Sequence, residues 1–444
     1  MNTAAGDPRR NFQDQDQDQD QDPDPGQRQR QDPGQRRRQD PGQRQDLAQD
    51  RRPGWDDRPE SVSEALRRSA YRLGAALLAG APGKNPVTSP VSALCALLML
   101  RAGAGSTTAA ELDGVLGLPA EGGDTALEAL LARLAPYDGD PGAVNAQEPP
   151  AVPVLHLANG VFVDRRTPTG DAFLATLARH SGAGVYPVDF ADPATEAVLN
   201  RWVSEATGGR MTEAPLEYNP DTTLSLLNTA YFAAAWAEPF DPSGTCPEDF
   251  RLPDGTTVAV DRMHTRTPAR YAAGPRWVAV DVPYTEGFVL RIVLADGDAR
   301  SDAGSDAGPA LPACSEEALL EVSGVMEEAG EVFLGLGLPR WESDSAFDLL
   351  PLLRRLGLRE TLGSAPDLSA IQPDAAVAAA AQAASITVGE KGTVAAAVTQ
   401  FDLMATSAPV DPELVFEIDR PFLYAVLHEA TGLPLFLGTV TDPR

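Results

Sequence analysis

The histidines and cysteines are the side chains in this sequence whose chemistry is easiest to recognise, because both types bind metals and take part in catalysis. They are His156, His180, His264, His428, Cys95, Cys246 and Cys314. No two histidines have the helical spacing of a metal-binding pair, and no two cysteines have the spacing of a zinc or redox motif. His428 and Glu429 match half of a zinc-protease motif whose second histidine is missing. We therefore predict no metal site and no cofactor.

Sequence motifs of the common catalytic and nucleotide-binding sites are also missing. The chain contains no G-x-S-x-G nucleophile motif, no Walker loop, no G-x-G-x-x-G after a predicted strand and no H-E-x-x-H. Carboxylates are so numerous that chance pairs of them carry no information. We predict that the protein is not an enzyme.

Composition and charge exclude further classes of protein. The 36 basic and 64 acidic residues give a net charge of -28, which should repel nucleic acids and anionic membrane surfaces. The longest apolar run, residues 93–100, is far shorter than the ~18 residues of a membrane span. Residues 1–12 contain no apolar segment that could serve as a signal peptide. We expect a cytoplasmic protein, and export by another route stays open.

The helices and strands that could position a functional site are predicted to begin near residue 61. Within residues 1–60, residues 13–24 alternate Gln and Asp, and the unit QDPGQR then occurs at 31–36 and 39–44, with almost no apolar residue before Trp55. Such a segment cannot offset the entropy of ordering, so a disordered tail is favoured over a specific docking arm. Ser61 and Glu64 have the spacing of a helix capping box, and an amphipathic helix follows them. The folded domain is therefore predicted over residues 61–444.

Hydrophobic periodicity within this domain predicts helices first and mostly antiparallel strands afterwards. Further helices are predicted at residues 91–101, 107–116, 125–134, 171–180, 192–206 and 347–356. Strands are predicted at residues 222–236, 332–338, 414–427 and 433–440, with a hairpin at 277–294. Residues 138–153 and 296–312 have the composition of loop insertions. Because strands and helices do not alternate regularly, the fold class is α+β.

The segment with the most unusual pattern is residues 386–421. Its middle alternates small and then apolar residues with a period of two, as in a strand with one buried face: Thr393, Ala395, Ala397, Thr399, Phe401 and Leu403. Its far end is polar and contains Pro409 and Pro412, which interrupt regular structure. A segment with features of both a loop and a strand indicates a conformational switch.

At this point the sequence resembles the serpin family, from about residue 61 to residue 443. Glu390-Lys391-Gly392-Thr393, followed by alanines, resembles the serpin hinge. Other similar segments are residues 85–92 at the start of the second helix, 227–241 in the central strand, 367–369, and the C-terminal strands at 419–423 and 435–440. The Arg-rich, Lys-poor usage is typical of a GC-rich genome, which suggests a bacterial-type member.

The resemblance implies a serpin fold, with N-terminal helices packed on a large, mostly antiparallel central sheet, smaller sheets, and an exposed reactive-centre loop at about residues 392–412. It implies a monomeric suicide inhibitor that forms a covalent complex with a serine protease. The net charge and the short apolar runs predict that this inhibitor binds neither nucleic acid nor membrane. The implied hinge residues are Glu390, Gly392, Thr393, Ala395, Ala396 and Ala397.

Counting along the family's loop places the reactive bond between Thr406 and Ser407, and a shift of two or three residues stays open. The small residues there suit an elastase-like or subtilisin-like protease. Cleavage after Leu403 or Met404 would instead suit a chymotrypsin-like one. Trypsin-like targets are disfavoured because residues 402–408 contain no Arg or Lys.

The resemblance also implies a region that controls opening of the central sheet. Ser89, Ser92 and Asn228 match positions of this region, and Trp236 matches an aromatic residue near the place of insertion. Gln382 stands where the family usually has a histidine, so its hydrogen bonds must differ. Val394 stands where inhibitory members usually carry Glu, and it should face solvent after insertion.

A non-inhibitory serpin that serves as a binding or storage scaffold is the alternative function. Hinge composition discriminates between the two, because bulky or charged inward residues would block insertion. The small residues Thr393, Ala395 and Ala397 favour the inhibitor.

Overall fold

The computed structural model describes residues 60–117, 123–145, 148–180, 184–216, 219–296, 308–393, 412 and 414–444. The predicted tail up to residue 59 and residues 297–307 of a predicted loop insertion lie outside the described residues. The helices of the described part are α1 (Glu60–Gly80), α2 (Pro90–Ala102), α3 (Ser106–Leu116), α4 (Gly123–Leu134), α5 (Asp171–His180), α6 (Ala194–Ala206), α7 (Glu316–Glu327) and α8 (Leu350–Leu356).

Strands make up most of the remainder. They are β1 (Val87–Thr88), β2 (Val154–Asp164), β3 (Gly184–Val188), β4 (Leu224–Ala235), β5 (Cys246–Arg251), β6 (Thr257–Ala273), β7 (Trp277–Pro283), β8 (Phe288–Ala295), β9 (Glu331–Pro339), β10 (Trp341–Asp348), β11 (Val377–Gly389), β12 (Gly392–Thr393), β13 (Leu414–Glu417), β14 (Phe422–His428) and β15 (Leu433–Val440).

The strands form two sheets. A nine-stranded sheet has the order β1-β15-β14-β8-β7-β6-β9-β13, and β5 pairs with β6 beside this path. A six-stranded sheet has the order β10-β11-β12-β4-β2-β3. In the six-stranded sheet β11 also pairs directly with β4, and these two strands are parallel. The architecture is α+β, as the sequence predicts.

Helix α2 lies between the two sheets and holds them together. All residues from Pro90 to Leu100 are buried, as expected for a helix that is apolar on every face. Pro90 takes the first helical position, and the Ser89 hydroxyl caps the helix by accepting a 3.3 Å hydrogen bond from Ser92 N. The helix contacts β4 of one sheet and β15 of the other. Ser89 and Ser92 are thereby positioned against the six-stranded sheet.

Most of the predicted elements are present close to their predicted bounds, but some predictions were wrong. The helix predicted from residue 347 begins only at Leu350, because Phe347 belongs to β10, in which alternate residues are buried. The single strand predicted at residues 414–427 is two strands, β13 and β14, separated near Pro421. The sequence patterns did not predict β1, β2, β3, β5, β6, β10, α7 or most of β11.

The side chains hydrogen-bonded to the rings of His428 and His156 are a threonine and an aspartate. His428 is buried, and its Nδ1 lies 3.1 Å from Thr431 Oγ1. Burial, with a smaller contribution from the charge of Arg133, lowers the pKa of His428 to about 4, so the ring is neutral at pH 7. His156 is partly exposed, and its Nδ1 lies 2.8 Å from a carboxylate oxygen of Asp138.

Membrane insertion through helices finds no support in the part of the chain that the structure describes. No helix there combines the length and the apolar character that crossing a bilayer requires.

Candidate functional site

The two-residue strand β12 brings the predicted hinge into the six-stranded sheet. Gly392 and Thr393 pair antiparallel with the end of β11 on one side and with the end of β4 on the other. Further along, β11 and β4 pair directly with each other, up to Ala384 and Ala230. β12 therefore occupies one end of the boundary between two parallel strands, and a longer strand added there would extend along the same boundary.

Gly392 can pair with β4 because it has no side chain and because its backbone adopts a conformation that other residues rarely adopt. Its φ of +150° lies outside the range that residues with side chains usually adopt. A Cβ atom at this position would lie 2.1 Å from the backbone oxygen of Ala234. No side chain fits there unless β12 separates from β4.

We expect Gly392→Ala to expel β12 from the sheet, because the added methyl group collides with backbone rather than with a movable side chain. Amide hydrogen exchange at residues 391–393, measured by mass spectrometry, should accelerate at least tenfold. Gly389→Ala is the matched control on the facing strand, since a Cβ there meets nothing within 4 Å. Equal protection in Gly392→Ala and wild type would show that the contact with Ala234 does not hold the hinge in place.

Thr393 is fully buried near a stacked pair of aromatic rings. Its hydroxyl is hydrogen-bonded to that of Tyr284, and the Tyr284 ring stacks on Trp236 with a centroid distance of 4.2 Å. Burial raises the pKa of Tyr284, so the phenol stays protonated and can donate. The Trp236 indole donates a 2.8 Å hydrogen bond to Gly389 O, which fixes the end of β11. Trp236 thus lies beside β12 and the end of β11, and its role in insertion stays a prediction.

The turn between β11 and β12 is held by the segment that follows β4. The backbone N–H of Trp236 donates to Lys391 O at 3.0 Å, and that of Phe240 donates to Glu390 O at 2.8 Å. The Thr245 hydroxyl donates to a carboxylate oxygen of Glu390 at 2.9 Å. Glu390, named as a hinge residue from sequence, therefore anchors the turn through both its backbone and its side chain.

Gln382 is the centre of a second group of contacts deeper in the same sheet. Its carbonyl oxygen accepts hydrogen bonds from the Thr88 hydroxyl and from Ser89 N, the latter at 3.0 Å. Its amide nitrogen donates to Ser89 O at 3.0 Å and to Asn228 Oδ1 at 2.9 Å. The fully buried side chain thus uses both N–H groups and both lone pairs. A glutamine here joins β11 to β4 and to the cap of α2.

The serines named with Gln382 complete this group. The Ser89 hydroxyl donates to Leu435 O at 2.7 Å, and the Ser92 hydroxyl donates to Thr229 O at 3.3 Å. The four side chains Ser89, Ser92, Asn228 and Gln382 therefore connect β11, β4, β15 and α2. Trp236 lies apart from them, at the end of β4 beside the hinge.

The loop residues named from sequence cannot be placed in the same way. Ala395, Ala396, Ala397, Thr406 and Ser407 lie outside the described residues. Their roles stay predictions.

Three contributors to the site were missed by sequence reasoning. Tyr284 and Thr88 contact Thr393 and Gln382, and Thr245 contacts Glu390. Tyr284 lies within the predicted hairpin and Thr88 within the segment at the start of the second helix, so both positions were visible. Their partners were not, because each contact joins residues far apart in sequence.

A protein-family model, described as serpin (serine protease inhibitor), matches residues 64–443. This chain belongs to the serpin family. The match covers nearly all of the predicted folded domain and leaves out the Gln/Asp-rich tail. Inhibition of serine proteases by a non-enzymatic protein is thus the general activity of the family to which the chain belongs.

Curated relatives agree with this assignment. The serpin is 30% identical to Serpin-ZXA of Oryza sativa subsp. japonica, with 86% of this chain and 96% of the relative covered. It is 27% identical to Alpha-1-antiproteinase S of Cavia porcellus, with 86% and 91% covered. These relatives come from a plant and an animal, so they give no support to the expectation of a bacterial-type member.

Solved structures show the same fold. Serpin48 of the insect Tenebrio molitor, described as a highly specific serpin, matches with 25% identity and a TM-score of 0.68, covering 87% of this chain and 99% of that one. The thermophilic serpin tengpin in its native state matches with a TM-score of 0.73 at 20% identity, covering 87% and 95%. The serpin fold predicted from sequence is confirmed.

Proposed function

We propose that this serpin is a suicide inhibitor of serine proteases that traps the acyl-enzyme by inserting its cleaved loop between β11 and β4. The observation that carries the proposal is β12, in which Gly392 and Thr393 already pair with both strands. The proposed insertion would extend this pairing along the same two strands.

The pairing register supports a full-length insertion. Extending the antiparallel register of Thr393 with Ala234 and Val388 brings residue 399 level with both Asn228 and Gln382, and residue 403 level with Leu224 at the far end of β4. Side chains alternate along a strand, so the odd-numbered residues from 393 to 403 take the same face as the buried Thr393. These are the small and apolar residues picked out by their period of two, and the proposed bond after Thr406 lies beyond the end of the inserted strand.

The proposed reaction uses the protease's own machinery. The protease serine attacks the carbonyl carbon of Thr406, the bond to Ser407 breaks, and the new amino group of Ser407 receives the proton that the serine gave up. Thr406 remains joined to the protease as an ester. Insertion of residues 394–403 then carries the protease along the sheet and distorts its active site before water hydrolyses the ester.

The loop sequence supports a target with a small primary pocket. Ala405 and Thr406 precede the proposed bond and suit an elastase-like or subtilisin-like protease. Cleavage after Leu403 or Met404 would suit a chymotrypsin-like protease instead. The inhibitor acts as a monomer in a one-to-one covalent complex.

The test mixes the full-length chain with subtilisin, elastase and chymotrypsin in separate reactions, followed by a denaturing gel and mass spectrometry. We expect a protease–serpin band that survives boiling and a released peptide that begins at Ser407. A protease whose active-site serine is blocked beforehand is the control and should give no band.

Cleavage in the same loop without a stable adduct for any of the three would contradict inhibition of these classes. Thermal denaturation of the cleaved chain then tests the scaffold alternative. An insertable loop raises the melting temperature after cleavage, whereas a scaffold whose loop cannot insert shows no rise.

A further inference from the structure

A cluster of metal-binding side chain types lies on the hairpin formed by β5 and β6. Cys246 and Glu248 are two residues apart on β5, and Arg262 and His264 are two residues apart on β6. Cys246 pairs with Arg262 across the hairpin. Because side chains alternate along strands, all four project from the same face. Strand pairing thus brings together ligand types that are well separated in sequence.

The distances between the three ligand atoms are close to those of a metal's coordination sphere. Glu248 Oε1 lies 3.5 Å from Cys246 Sγ and 3.0 Å from His264 Nε2, and all three atoms lie within 4.8 Å of one another. Tetrahedral zinc with ordinary bond lengths separates such atoms by about 3.3–3.6 Å. Small side-chain rotations are therefore enough to bring all three atoms onto one ion.

Arg262 orients the carboxylate without occupying the ligand position. Its guanidinium lies 2.6 Å from Glu248 Oε2 and 3.4 Å from Glu417 Oε2. Glu248 Oε1 is instead the oxygen that contacts Cys246 and His264. The guanidinium also donates to Asp249 O at 2.6 Å, and its side chain is only 6% exposed, so it is fixed in place. Glu248 Oε1 is thereby presented to the thiol and the imidazole. Carboxylates that bind metals are commonly held by such outer hydrogen bonds.

We propose that Cys246, Glu248 and His264 form a Zn²⁺ site. A thiolate, an imidazole and a carboxylate are the ligand types that zinc takes, whereas Mg²⁺ and Ca²⁺ prefer oxygen ligands alone. Cys246 is exposed, so water can fill the fourth position. Sequence reasoning predicted no metal site because it searched for short spacings along the chain.

The site adjoins the hinge. Thr245, whose hydroxyl holds Glu390, directly precedes Cys246. A zinc ion on Cys246 would fix the residue next to this contact. The binding proposal itself does not depend on protease inhibition, and its test uses no protease.

The test titrates the reduced, chelator-treated full chain with Zn²⁺ in competition with a chromophoric chelator, in excess Mg²⁺ to saturate weak acidic sites. We expect one Zn²⁺ per chain. Cys246→Ser and His264→Gln should each weaken binding at least tenfold. Cys314→Ser is the matched control, because it removes a free thiol away from the cluster and should leave binding unchanged. Circular dichroism checks that every variant is folded.

Co²⁺ supplies a spectroscopic signature of the ligands. A thiolate–cobalt charge-transfer band in the near ultraviolet is expected for wild type and Cys314→Ser, and should be absent from Cys246→Ser. The proposal is overturned if wild type binds no stoichiometric Zn²⁺ in excess Mg²⁺. It is equally overturned if Cys246→Ser binds Zn²⁺ as tightly as wild type or keeps the cobalt band.

Discussion

Thr393→Arg is expected to convert the serpin from an inhibitor into a substrate. The Thr393 side chain is completely buried and hydrogen-bonded to Tyr284. Arginine at this position would have to bury an unpaired guanidinium against the Trp236 and Tyr284 rings, which costs several kcal/mol. Insertion should stall at its first step, so that the ester is hydrolysed. The covalent adduct on a denaturing gel should fall at least tenfold, while cleavage of the loop continues.

Val394→Arg is the matched control for this substitution. Period-two alternation places residue 394 on the face opposite to Thr393, which faces solvent after insertion. The same charge and size added there should leave most of the adduct. Undiminished trapping by Thr393→Arg, or equal loss in both variants, would show that Thr393 does not lead the inserted strand.

Gln382→Glu should destabilise the native serpin more than its loop-cleaved form. Glutamate keeps the shape but replaces the amide that donates to Ser89 O and Asn228 Oδ1. Even if the buried carboxyl protonates, it restores only one of the two donors. We expect the free energy of unfolding of the native form to fall by about 2–4 kcal/mol. In the cleaved form, the proposed insertion would place a strand between β11 and β4 and move them apart by roughly another 4.8 Å, so the contact between Gln382 and Asn228 would already be lost.

Gln372→Glu provides the control, because Gln372 is also buried and donates to Asp164 O, Thr167 O and Thr169 Oγ1, away from the insertion path. Thermal melting of native and cleaved forms measures both variants. Gln372→Glu should lower both melting temperatures alike. A similar parallel loss in Gln382→Glu would show that Gln382 stabilises the fold without resisting sheet opening.

Local patterns predicted those parts of the fold that depend on neighbouring residues. The capped, apolar helix α2 and the hairpin of β7 and β8 follow from residue types within each segment. Strand β11 does not, because its alanine-rich sequence has a low intrinsic preference for strands and it forms only through pairing with β10 and β4. The alternation of β10 was visible, but its buried serines made it look polar.

In the candidate site, too, contacts between distant segments could not be predicted from local patterns. Resemblance placed Gln382 by counting, yet its hydrogen bonds to Thr88 and Ser89 join segments nearly 300 residues apart, which no local pattern indicates. The cluster of Cys246, Glu248 and His264 depends on the register of two antiparallel strands. A register is set by the whole sheet rather than by either strand alone.

The pairing of Gly392 and Thr393 on both sides has a kinetic consequence. When regular secondary structure forms, the first contacts are slow, because they cost chain entropy before neighbouring hydrogen bonds can offset it. Later contacts form quickly. Here the first contacts exist before any protease arrives. The strand addition that we propose after cleavage would therefore start as elongation rather than as nucleation. In the proposed competition between strand addition and ester hydrolysis, this would favour strand addition.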